Sequence, residues 1–215
     1  MKKFLSTFIS AALVMSLVLS IISFSFAQEA TSGPEVYATP QEYENATGEK
    51  IPDYNEAPIL IDLVKQGKVP PVEERLPQRP LVVDPVEEIG KYGGTLKRAI
   101  RGPANQYSWN WTSSENLLRW QWKDGQLVVV PNVAKRWKVS EDGKVYTFYL
   151  REGMRWSDGH PFTADDIMFW YEDIILNKDL TPSIPNWLMV GGKSGKVEKI
   201  DDYTVRFVFE EPYAI

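Results

Sequence analysis

The sequence contains no cysteine and one histidine, His160. The first absence excludes disulfides, thiolate catalysis, iron–sulfur clusters and cysteine-bearing zinc sites. It also removes the usual lipid-attachment residue of an exported protein. The second leaves a His-rich metal site without ligands, and a Ser–His–Asp arrangement with only His160 to recruit. That residue sits between Gly159 and Pro161, in a turn that reads as solvated. Positive charge is short as well. The 24 Lys plus Arg are outnumbered by 29 Asp plus Glu, for a net charge of −5, and phosphate binding needs a basic face, so no nucleic-acid partner is expected.

Apolar residues are plentiful. Of 215 residues, 43% are hydrophobic and 13% aromatic, enough for a globular core. Residues 1–27 have the parts of a secretory signal: Lys2 and Lys3, an apolar run from about Phe8 to Phe24, and Ser25-Phe26-Ala27 as a small-x-small cleavage site. Cleavage near Ala27 would give a soluble, periplasmic or extracellular product. Retention as an anchor is the competing reading, because the run approaches the ~20 residues that span a bilayer.

Residues 28–90 hold nine of the 15 prolines, with 13 acidic and 5 basic side chains; residues 91–215 carry 16 and 17. Each proline fixes φ and removes a donor, so the first segment reads as an extended acidic arm. One short helix is expected in it, with Pro58 in the first turn, a stripe of Ile59, Leu60, Leu63 and Val64, and Gly67 as terminator. Beyond it, Val69 to Val86 reads as a strap over a domain surface, with Glu73 and Arg75 solvated.

From Gly93-Gly94 the pattern becomes compact. Strands are expected at Thr95–Ile100, Leu127–Val130 and Val145–Leu150, with antiparallel neighbours. Thr163 with Asp166 three residues on forms a capping box for a helix to about Asn177, burying Ile167, Trp170 and Ile174. A hairpin around Asp201-Asp202 joins Val197–Ile200 to Tyr203–Phe209. Gly191-Gly192-Lys193-Ser194-Gly195-Lys196 has the wrong glycine spacing for a phosphate loop and reads as a mobile surface loop.

All eight tryptophans lie between Trp109 and Trp187. Asn105, Tyr107, Trp109, Asn110 and Trp111 combine stacking faces with amides and are the candidate ligand-binding residues; Trp109 and Trp111 are favoured over Trp120 and Trp122. Asp158, Asp165 and Asp166 could be imagined as hydrolytic carboxylates, but a turn and a helix cap account for their spacing.

Residues 134–170 include Trp137, Ser140-Glu141-Asp142-Gly143, Tyr146-Thr147-Phe148, Leu150-Arg151-Glu152-Gly153, Trp156-Ser157-Asp158-Gly159 and Pro161-Phe162-Thr163-Ala164. This stretch resembles the signature of the family 5 extracellular solute-binding proteins, the oligopeptide- and dipeptide-binding group. Gly93-Gly94-Thr95-Leu96 and Asp201-Asp202-Tyr203-Thr204-Val205 resemble flanking family segments, so the likeness covers residues 91–215. Physically the signature reads as scaffold, with Trp137 and Trp156 as apolar anchors.

The resemblance implies an α/β, periplasmic binding protein-like class II fold of two lobes, of which only the N-terminal part of lobe I is expected here. It implies the substrate-binding subunit of an ABC importer that captures peptides or oligosaccharides and delivers them to the membrane permease. Such a subunit is expected to be monomeric, to use no cofactor or metal, and to be no enzyme. A secreted glycoside hydrolase, or another carbohydrate-active protein, is the alternative from another class.

Overall fold

The structure, a computed structural model, describes residues 33–97 and 114–213. They fall into two compact units. Residues 34–97, 114–120 and 129–213 belong to the larger, and Gly33 with Gln121–Val128 to the smaller.

The larger unit is built on a four-stranded antiparallel sheet of order β5-β6-β10-β9. Its strands are β5 (Ala134–Val139), β6 (Val145–Leu150), β9 (Lys196–Asp201) and β10 (Thr204–Val208). The sequence of β6 alternates, and so does its burial: Tyr146, Phe148 and Leu150 point inward. Register carries that pattern across the sheet, pairing Tyr146 with Phe207 and Phe148 with Val205. Phe148 and Phe207 then meet edge to face at 5.5 Å, a geometry that adds to their area burial. Turn chemistry joins the strands. Gly143 takes φ +67° between β5 and β6, where Ser140 Oγ accepts from the Val145 amide at 2.9 Å. Asp201 Oδ1 accepts from the Tyr203 amide at 2.8 Å between β9 and β10.

Thr163 caps a helix over Ala164–Phe169 through the expected capping box. Its first turn is pinned to the sheet, since the Ala164 amide donates to Asp202 O at 2.8 Å and Lys199 Nζ bridges Asp165 and Asp202. From Trp170 to Ile175 the helix widens into a π-helix, with the Leu176 amide donating to Tyr171 O at 3.0 Å. The wider turn moves the inward face by one residue: Tyr171 and Ile175 are buried, while Trp170 and Ile174 are only half-buried. Gly191 and Gly192, both at positive φ, close a two-residue hairpin between β7 (Met189–Val190) and β8 (Lys193–Ser194). The segment expected to be a mobile loop is therefore paired backbone. At Gly195 an added Cβ would come within 2.5 Å of the Phe209 ring, so the close approach of that ring requires glycine.

The proline-rich arm holds more structure than its prolines suggested. Strands β1 (Glu35–Tyr37) and β2 (Val82–Asp84) pair antiparallel, bringing its two ends together. Between them lie three helices rather than one: α1 (Pro40–Thr47), α2 (Ile61–Lys65) and α3 (Val72–Arg75). Helix α1 has no buried residue and forms through its caps, Thr39 accepting from the Glu42 amide at 3.2 Å and Gly48 ending it at φ +76°. At α2 the stripe is narrower than its sequence implies: Ile59, which precedes the helix, is 86% exposed. Arg75 is not solvated; it donates to the Glu56 carboxylate. No strand forms over Thr95–Lys97, and the rest of that expected strand lies outside the described residues, as does the expected signal.

Two further strands, β3 (Leu118–Lys123) and β4 (Gln126–Pro131), form a two-stranded hairpin. Asp124 and Gly125 at its tip take φ +50° and +74°, the left-handed pair that a tight two-residue hairpin needs. In the smaller unit the Gly33 amide donates to Trp122 O at 2.7 Å.

Candidate functional site

The inner face of the sheet, the helix from Ala164 and the chain from Ser114 into β3 line an open cavity of about 1000 Å³. Its floor is aromatic, with Tyr146, Phe148 and Phe207 from the sheet and Phe209 just after β10. Tryptophans stand around it. Trp170 stacks on Trp187 at 5.8 Å and 12°, and Trp156 meets Phe162 edge on at 5.3 Å. Trp156 Nε1 donates to Asp166 Oδ1 at 2.9 Å, so its one polar atom is satisfied while the ring stays half exposed. Trp120, at 60%, is more exposed still. Such rings offer apolar π-faces to whatever enters.

Charge at the edge of the cavity is largely self-contained. Arg119 Nη2 donates to both oxygens of Glu115, at 2.6 and 2.7 Å, and Asn132 Nδ2 donates to Glu115 Oε2 at 2.8 Å. These bonds, that from Arg119 foremost, hold the Glu115 carboxyl below its ordinary pKa. Arg155 Nη1 donates to Gly159 O at 3.0 Å. Among the described residues no cluster of His, Asp and Glu is placed to hold a metal ion.

The three carboxylates considered for hydrolysis each have a structural partner. Asp158 Oδ1 accepts from the His160 amide at 2.9 Å, Asp165 pairs with Lys199, and Asp166 closes the capping box. His160 is exposed, its Nδ1 donating to Pro161 O at 3.0 Å.

The candidate ligand residues Asn105, Tyr107, Trp109, Asn110 and Trp111 lie outside the described residues. Trp120, ranked below them, lines the cavity, and so does Trp156, which had been read as a scaffold anchor. Residue type alone does not separate such rings from buried ones, because burial and stacking demand the same side chain. The usable cue was the number of tryptophans, which exceeds the needs of one small core.

Residues 128–215 match the family model for bacterial extracellular solute-binding proteins, family 5. An oligopeptide-binding protein, OppA, superposes with a TM-score of 0.73 at 50% identity, over 82% of this chain and 27% of its own. The chain belongs to the family 5 extracellular solute-binding proteins. Within this family, the periplasmic alpha-galactoside-binding protein of Rhizobium meliloti (strain 1021) is 35% identical over 170 residues, which is 70% of this chain and 24% of that protein. The periplasmic binding protein MelB of Agrobacterium fabrum C58, solved with stachyose, gives a TM-score of 0.59 at 35% identity, over 74% of this chain and 27% of that one. The dipeptide-binding protein of Escherichia coli (strain K12) is 34% identical over 112 residues, 44% of this chain and 20% of that protein.

This family 5 chain thus spans about a quarter of the length of these relatives, and its mixed helices and sheet are part of the family's periplasmic binding protein fold. The relatives are binding proteins, and nothing in the comparison favours a glycoside hydrolase. No helix among the described residues is long and apolar enough to cross a membrane.

Proposed function

We propose that this protein is the extracytoplasmic substrate-binding subunit of an ABC importer, capturing oligosaccharides or peptides and delivering them to a membrane permease. The observation that carries the reading is the family 5 match, which falls on the same strands and helix that wall the aromatic cavity. No bond need be made or broken: ligand held by contacts that favour a closed form shifts the population toward that form, and the permease reads it. Export would follow from Lys2, Lys3 and the apolar run, with cleavage near Ala27.

Of the two ligand classes we place oligosaccharide first. Exposed indole faces at Trp120, Trp156 and Trp187 suit the C–H faces of pyranose rings, whereas the charged ends of a peptide call for uncompensated charges, and Glu115 and Arg119 neutralise each other. The alpha-galactoside-binding relative and MelB, solved with stachyose, align over most of the chain. Peptide stands second on the strength of the 50% identity to OppA. A thermal-shift screen of the full-length natural protein against stachyose, raffinose and a set of di- to pentapeptides tests both. A melting point raised by the sugars and lowered back by Trp156→Ala is expected; indifference to both classes would end the import reading.

A further inference from the structure

Arg151 follows β6, and its guanidinium is buried, the residue being 3% exposed. Among the described residues no carboxylate bonds it. Its Nε donates to Asn132 O at 2.6 Å, and its Nη1 donates to Ala38 O and to Arg79 O, the latter at 2.8 Å. Nη2 is enclosed without a partner among the described residues. An ion so placed costs free energy unless fixed dipoles surround it, and here backbone carbonyls take the place of a counter-ion. Burial accordingly pulls its pKa below the ordinary arginine value, with the charge of Glu42 opposing.

Two of those carbonyls come from opposite ends of the arm. Ala38 follows β1 and Arg79 precedes β2, and Ala38 is the one buried residue among the described residues of the arm. Its amide is also engaged, donating to Glu42 Oε2 at 2.9 Å. Beside this grip the Gln78 amide donates to Glu152 O at 3.0 Å. A Cβ added at Gly153 would lie 3.4 Å from that amide and 3.6 Å from Pro77 Cα, so the arm lies directly against the Leu150–Gly153 segment. The third carbonyl leads elsewhere. Asn132, itself 8% exposed, turns its side-chain amide to Asn116 O at 2.7 Å and to Glu115 Oε2 at 2.8 Å, both at the edge of the cavity.

We propose that Arg151 and Asn132 are positioning residues that fasten the proline-rich arm to the cavity edge, so that the arm fixes the placement of Glu115 and Arg119 although no arm residue lines the cavity. The arm is then a working part of the domain and not a spacer, and the Leu-Arg-Glu-Gly element of the family signature is its clasp. The proposal concerns the wall of the cavity and not what fills it.

Backbone amide exchange on the full-length natural protein, without ligand, tests this through an asymmetry. Arg151→Met should speed exchange about ten-fold or more in two places, residues 36–44 with 78–84 and residues 114–120, while β6 and β10 change less than about two-fold. Asn132→Ala removes only the outgoing half of the relay, because Arg151 bonds its backbone carbonyl, and should loosen residues 114–120 alone. Lys65→Ala, on the exposed face of α2, should change neither. If Arg151→Met does not fold, Arg151→Lys keeps the charge without the planar fork and should show the same two places at smaller amplitude. Arm protection unchanged in the Arg151 variants overturns the clasp. Residues 114–120 staying protected in Asn132→Ala, or loosening no more than the whole sheet does, overturns the relay. Because no ligand enters, either failure is separate from failure of the transport reading.

Discussion

The four-stranded sheet and the proline-rich arm are held by different forces. The sheet buries Tyr146, Phe148, Leu150, Val205 and Phe207 in one row of packed side chains. Among its described residues the arm buries Ala38 alone; its helices have no buried residue, and its order comes from caps, a three-residue strand pair and the carbonyls that Arg151 grips. Apolar burial is non-directional and adds up with area, so the sheet should be the cooperative core. Hydrogen bonds exchanged with water contribute about 1 kcal/mol each, so the arm should open locally first.

The contrast is broken most directly at Phe207. Phe207→Ala removes a ring from the centre of the sheet and should cost about 3–5 kcal/mol in chemical denaturation. Leu63→Ala, at a half-buried position of α2, should cost about 1 kcal/mol or less. Equal losses at the two sites would mean that arm and sheet share one core. Caps sharpen the comparison at smaller amplitude. Thr163→Ala should cost about 1 kcal/mol of global stability, because its helix is bonded to the β9–β10 turn. Thr39→Ala removes an equivalent bond from α1, yet it should raise amide exchange in residues 40–48 without moving the global midpoint.

The same division explains what could be read from the sequence. Where burial and turn chemistry coincide, as in Tyr146 to Leu150, the Asp201-Asp202 hairpin and the Thr163 cap, alternation and capping residues were enough. Strand β5 escaped notice because it is an edge strand whose Lys135, Arg136 and Lys138 interrupt any apolar alternation; Arg136 lies over the Tyr149 ring at 3.7 Å instead. Helix α1 escaped because its sequence has caps but no stripe, and apolar period was the criterion for a helix. The arm's attachment was illegible for a deeper reason: Arg151 bonds main-chain oxygens, which every residue has, so nothing in Ala38 or Arg79 announces a partner. At the candidate site the tryptophan count was legible, but which rings line a cavity depends on where the π-helical turn and the Trp156 hydrogen bond to Asp166 direct them.

The smallest expected effect lies at the cavity edge, where the Asn132 side chain holds Glu115. Glu115 has its pKa held below the ordinary 4.5 by Arg119 and Asn132. A carboxyl depressed on folding binds its proton more weakly in the folded chain than in the unfolded one. Its contribution is therefore complete above the unfolded value and is lost as pH falls through the folded one. Glu115 is more than half exposed, so solvent and salt screen the pair and the stability change should be slight. Its consequence is local: protonation removes the acceptor for Arg119 and for Asn132 Nδ2, loosening the cavity edge from below. Side-chain carboxyl chemical shifts followed from pH 6 to pH 2.5 should place the Glu115 midpoint under 4.5, and Asn132→Ala should raise it toward that value. A midpoint unmoved by Asn132→Ala would show that Arg119 alone sets this edge, and the relay from Arg151 to the cavity edge would then lack its step through the Asn132 side chain.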